Sequence, residues 1–171
     1  MKKIIITLSL MLILFFSGCF ADRYGNDLSS LISRINERYE KTVVSAEGFH
    51  FDEDKNSQYG FIRYGEKELL VYAQLDEKKR ITECHLVFES IKELHDESVS
   101  SFIPVIFSCY TGEGEDDVNT ALENLEVFSN EKALLSENTF KSEKAEYTYT
   151  ATDTSALISC ELLSVYETSL K

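Results

Sequence analysis

The chain has 171 residues, a single proline, seven glycines and a formal charge of −13. That length suits one compact domain with a real hydrophobic core, and so little proline and glycine argues against repetitive or low-complexity segments. So acidic a surface repels phosphate backbones, which argues against nucleic acid as a partner.

The first nineteen residues differ in character from the rest. Lys2 and Lys3 precede an apolar run over residues 4–16, and Ser17, Gly18 and Cys19 close it before a polar body begins at Asp22. The run is shorter than the roughly 20 apolar residues of a membrane-spanning helix and fits the about 7–15 of a signal-peptide core. Phe16-Ser17-Gly18-Cys19 resembles the lipobox of bacterial lipoproteins, with Phe16 where the motif usually has leucine. The resemblance implies that residues 1–18 are a cleaved signal peptide and that Cys19 is the lipidation site. Residues 19–26 then form a short tether, and the membrane is engaged through the lipid on Cys19 at its extracytoplasmic face. Stable anchoring requires two acyl chains, which a diacylglyceryl group supplies. Loss of residues 1–18 removes Lys2 and Lys3 and no acid, taking the charge from −13 to −15. At about 3.3–3.6 Å per residue, the tether holds the domain within about 25 Å of the bilayer.

Beyond the tether, Leu28, Leu31, Ile32, Ile35 and Tyr39 recur with helical spacing from a start near Asp27. The period then changes: residues 42–51 and 58–64 are β-branched and aromatic, as strands are. Leu69, Val71, Ala73 and Leu75 alternate, Asp76-Glu77-Lys78-Lys79 reads as a turn, and Thr82, Cys84, Leu86 and Phe88 alternate again, the signature of a hairpin. Val99, Phe102, Ile103, Ile106 and Tyr110 share a helical face, with Pro104 early in the segment. Gly112 and Gly114 interrupt it. Glu115, Asp116 and Asp117 open another helix that turns Val118, Ala121, Leu122 and Leu125 inward, acids at a helix start being favoured by its dipole. A helical turn over 130–135 and strands over 145–150 and 156–166 complete the pattern. The expected fold class is therefore α+β: an antiparallel sheet with helices packed on one face, in two layers, as a single domain over 27–171. Each half reads as a helix followed by a meander, without a residue-level repeat.

Candidate chemistry is sparse. Cys84, Cys109 and Cys160 all fall on apolar faces, as core thiols do; one disulfide with a spare thiol is the alternative, and the spacing does not say which pair would close. Glu83, His85 and His95 suggest a metal site, though their spacing matches no short metal motif. Asp52, Asp54 and Asn56 begin like a calcium loop, but Ser57 stands where the turn glycine belongs and Arg63 where the bidentate glutamate belongs. Gly112-Glu113-Gly114-Glu115 is acidic where a phosphate cradle would attract anions, and the chain has no Gly-x-Ser-x-Gly or Ser-x-x-Lys. Tyr59, Phe61, Tyr64, Tyr72, Tyr147 and Tyr149 lie on strands, as core residues or as a flat ligand platform. The sequence thus points to a lipid-anchored extracytoplasmic binding module without catalytic, metal or cofactor-binding residues, working on an envelope protein or small ligand. A small envelope hydrolase or metal-dependent enzyme, and a glycan-binding module, are the alternatives.

Overall fold

The computed structural model describes residues 27–39, 48–64, 67–129 and 136–163. The signal peptide, Cys19 and the tether lie outside the described residues, as do residues 42–47, the expected turn at 130–135 and residues 164–166 of the expected last strand.

Among the described residues there are seven strands: β1 (His50–Asp52), β2 (Ser57–Tyr64), β3 (Lys67–Leu75), β4 (Ile81–Phe88), β5 (Ser136–Lys141), β6 (Ala145–Ala151) and β7 (Ala156–Leu162). The helices are α1 (Leu28–Tyr39), α2 (Ile91–Leu94), α3 (Glu97–Ser100), α4 (Ile103–Thr111) and α5 (Glu115–Asn124). All seven strands pair antiparallel in one sheet of order β1-β2-β3-β4-β7-β6-β5. Two meanders, β1–β4 and β5–β7, therefore meet through their last strands.

This sheet corrects the expected α+β two-layer class. The fold is dominated by its seven-stranded antiparallel sheet, and the helices are few and short. The helical periodicity of residues 99–110 overstated the helix, because the segment breaks between α3 and α4 at Ser101 and Phe102. The strand content was understated, because β5 (Ser-Glu-Asn-Thr-Phe-Lys) has no alternating apolar pattern and pairs as an edge strand.

Local chemistry explains the other boundaries. Asp27 Oδ1 accepts from the Ser30 amide at 2.9 Å and caps α1. Pro104 sits in the first turn of α4, where its missing N–H costs nothing, and Gly112 ends that helix in the left-handed conformation at φ 72°. Every residue of α4 is buried, as a helix apolar on all sides requires; it packs against α1 and α5. Glu115, Asp116 and Asp117 occupy the first turn of α5. Val71, Ala73, Cys84, Leu86, Ile158 and Tyr147 point from the strands into the same core as Leu31, Ile35, Ile106 and Leu122. The β1–β2 and β3–β4 turns are clipped together. Asn56, at φ 48°, donates through Nδ2 to Leu75 O (2.6 Å) and Asp76 O (2.9 Å), while Lys79 Nζ donates to Asn56 Oδ1 at 2.9 Å.

Gly60 on β2 lies under the ring of Phe49, and a Cβ there would stand 2.7 Å from a Phe49 ring carbon. Gly60→Ala is expected to destabilise the fold by about 1–3 kcal/mol through overpacking. In a Phe49→Ala background the same change should cost under about 0.5 kcal/mol, because the clash is gone. Denaturant unfolding of the two single variants and the double variant measures both.

Candidate functional site

Strand residues alternate between the core and a second face over which the described residues place no helix. On that uncovered face, the pairing register aligns side chains in rows that cross the strands. One row runs His50, Tyr59, Tyr72, His85, Ser159, Thr148 and Thr139, through all seven strands. Beside it lies an apolar row, Phe61, Leu70, Val87 and Leu157. On the other side lies a polar row, Gln74, Glu83, Glu161, Glu146 and Lys141. Neighbouring rows are two residues apart along each strand, about 7 Å.

The central row is a contact network. The His50 and Tyr59 rings lie 5.4 Å apart, as do those of Tyr72 and His85. His85 Nδ1 is 2.8 Å from Ser159 Oγ, and its Nε2 is 3.4 Å from Glu83 Oε2. A carboxylate at Nε2 selects the tautomer with the proton there, so Nδ1 accepts from the serine hydroxyl. Burial pushes the His85 pKa below the ordinary 6.5, while the Glu83 carboxylate opposes that shift. Tyr59 is 42% and Phe61 55% exposed, which leaves two large rings open to contact.

Backbone alternation explains which pairs touch. The Leu163 and Thr152 amides donate to Lys144 O and Ser155 O, at the two ends of the β6–β7 ladder. Counting inward, the peptide groups of Cys160 face β4, so Cys84 and Cys160 form a hydrogen-bonded pair with Cα atoms about 5.5 Å apart. Ser159–His85 and Glu161–Glu83 are then non-bonded pairs, in which opposing side chains come closest. Glu83 and Glu161 thus set like charges side by side, an arrangement that costs stability. Glu146 is held by Lys141 at 2.7 Å, and Glu161 forms no salt bridge among the described residues, feeling Lys141 only at longer range.

The residues singled out from sequence are sorted by this geometry. Tyr59, Phe61 and Tyr72 share the uncovered face, whereas Tyr147 and Tyr149 are core residues. Cys84, Cys109 and Cys160 are buried free thiols. Burial pushes Cys84 up to about 12 and Cys160 well above the ordinary thiol range, so neither supplies a thiolate at neutral pH. Glu83 and His85 are neighbours, but His95 ends α2, and no group of three metal-binding side chains forms among the described residues. Asp52 ends β1 and Asp54 lies in the clipped β1–β2 turn, where Asp52 Oδ1 accepts from the Lys55 amide. Ser159 escaped notice because its partner His85 is distant in sequence; only the β4–β7 register unites them.

The sequence showed Glu113 only as part of an acidic loop, not as a buried acceptor. It is buried beyond the end of α4, and its carboxylate accepts from the hydroxyl of the fully buried Tyr147. Ser108 Oγ donates to Glu113 O, and the Glu113 amide donates to Thr111 Oγ1. An open cleft of about 440 Å³ beside it is lined by Glu113, Asp117, Phe140 and Lys144, among others. Lys144 Nζ is committed to Gly112 O at 2.7 Å, so the only cation among the cleft's described lining residues is spent on the scaffold.

Comparison with known proteins finds no matching family model, no matching curated protein and no matching solved structure.

Two measurements follow from the geometry. Because His85 is held neutral in the folded state, protonation favours the unfolded chain. Its contribution to stability is complete above pH 6.5 and lost as pH falls from there through the lower folded pKa. A His85→Gln variant should show a flatter stability profile below pH 6.5, and the His85 ring signal should titrate below that value in NMR. Tyr147→Phe strips the buried Glu113 carboxylate of its donor and is expected to cost about 2–3 kcal/mol; Glu113→Gln, which keeps an acceptor, should cost less than half as much. Denaturant midpoints of the two variants test the order.

Proposed function

We propose that this protein is a lipid-anchored binding module, tethered through Cys19 at the extracytoplasmic face of the cell membrane, whose contact surface is the uncovered face of its sheet. The anchor is supported by the lipobox-like residues 16–19 that follow a short apolar run. The observation that carries the binding role is the row through Tyr59, Tyr72 and His85, flanked by the exposed Phe61. Aromatic rings on rigid strands supply contact area at small entropic cost, and Tyr is enriched in interfaces for that reason.

A second reading, a hydrolase, draws on the Ser159–His85–Glu83 line. The arrangement places a neutral imidazole on a hydroxyl, as nucleophile activation requires. The β4 and β7 amides beside it are engaged in the ladder and supply no oxyanion donor. The line therefore serves better as a polar patch within a contact surface.

The Cys19→Ala variant is expected to lose incorporation of radiolabelled fatty acid and to leave the membrane fraction. A photo-cross-linking residue placed at Tyr59 should capture an envelope component in intact cells, while the same residue at Glu123 on α5 captures none. Equal labelling of the cysteine variant removes the anchor, and equal yields from the two positions remove the assignment of the face.

A further inference from the structure

We infer that the partner of the uncovered face is a basic amphipathic peptide segment lying across the strands, its apolar side chains on the Phe61–Leu70–Val87–Leu157 row and its Lys or Arg side chains on the Glu83–Glu161 row. The inference rests on the reading of that face as a contact surface and adds the chemistry of what it contacts.

Charge complementarity selects the occupant. Glu83 and Glu161 stand opposite one another at a non-bonded position, and the nearest base in their row, Lys141, is already paired with Glu146. Lys141 reaches Glu161 only at longer range, so the two carboxylates leave a net negative strip, which a cationic group relieves and a neutral or anionic ligand does not. Glu83 contacts His85, but the imidazole is held neutral and brings no compensating charge.

The second requirement is apolar. Phe61, Leu70, Val87 and Leu157 run parallel to the acidic strip on the far side of the aromatic row. The two outer rows are four residues apart along each strand, about 14 Å, which a helix about 10–12 Å wide bridges with its long basic side chains. Across the sheet, the distance from β2 to β6 is four strand spacings, about 19 Å. A helix covers that span with about 13 residues. Tyr59, Tyr72 and His85 lie beneath its axis, where rings also accept cations against their faces.

The test uses the full acylated chain in non-ionic micelles and a fluorescent 14-residue Lys/Leu peptide of amphipathic helical pattern, with signal over empty micelles read as anisotropy. Binding is expected for this peptide, and at least tenfold weaker binding for a scramble of the same composition. Glu83→Gln with Glu161→Gln should weaken binding at low salt by at least tenfold, and Phe61→Ser by about threefold or more. Asp116→Asn with Glu123→Gln, which remove the same charge from α5, should stay within twofold of the parent. The inference is overturned if the scramble binds equally, if the α5 pair weakens binding as much as the sheet pair, or if neutral glycan oligomers bind this face and the peptide does not. A cross-link from Tyr59 in cells without peptide binding here retains the contact surface and discards the basic partner. Peptide binding that the sheet variants weaken, without that cross-link, retains the basic partner for this face in the isolated protein and removes the contact in cells.

Discussion

The ladder between β4 and β7 joins the two meanders, and most of the other features depend on its register. A strand turns alternate residues to opposite sides, so a single pairing decides which residues of both meanders enter the core. With Cys84 opposite Cys160 and Leu86 opposite Ile158, apolar side chains from both halves fall on one side. A slip of one residue would turn Glu83, His85 and Val87 inward against the helices and expose the core set. The same ladder supplies the long-range contact that brings His85 to Ser159.

The two faces have separated chemistry. On the core side, polar groups are either satisfied or silenced. Glu113 is held by Tyr147, Ser108 by a backbone carbonyl, and the thiols are protonated by burial. The exceptions among the described residues include the buried Tyr110 hydroxyl, Ser57 Oγ and His95 Nε2, none of which has a hydrogen-bond partner. The Cys84–Cys160 pair is also unsuited to a disulfide. Hydrogen-bonded positions hold opposing side chains farther apart than the 3.5–4.5 Å between Cβ atoms that the bridge requires. Among the described residues, the uncovered face is where aromatic rings, an imidazole and clustered carboxylates come together.

In the proposed arrangement, an acylated Cys19 and a short tether keep that face near the bilayer. Confinement of this kind raises the effective concentration of a domain relative to a membrane-borne partner, so a surface of modest affinity suffices. The acidic strip also disfavours direct adsorption to anionic headgroups, which leaves the face open for a basic segment rather than pressed onto lipid.

Local signals made part of this legible. The α1 stripe from Leu28, the β3–β4 hairpin, Pro104 and Gly112 at the ends of α4 and the acidic start of α5 all follow from spacing and caps, which involve neighbours in sequence. Composition and the first nineteen residues were likewise enough to frame the lipoprotein expectation. The dominance of the sheet was not legible, because β5 is held by its partner β6 rather than by its own pattern. Nor was the division of the tyrosines: Tyr59 and Tyr147 look alike along the chain, and only the register puts one outside and the other in the core. The Ser159–His85 contact, the like-charged Glu83–Glu161 pair and the Tyr147–Glu113 bond are all contacts between residues far apart in sequence. Such contacts depend on which strands become neighbours, a choice made by the joint burial of both meanders and carried by no single segment.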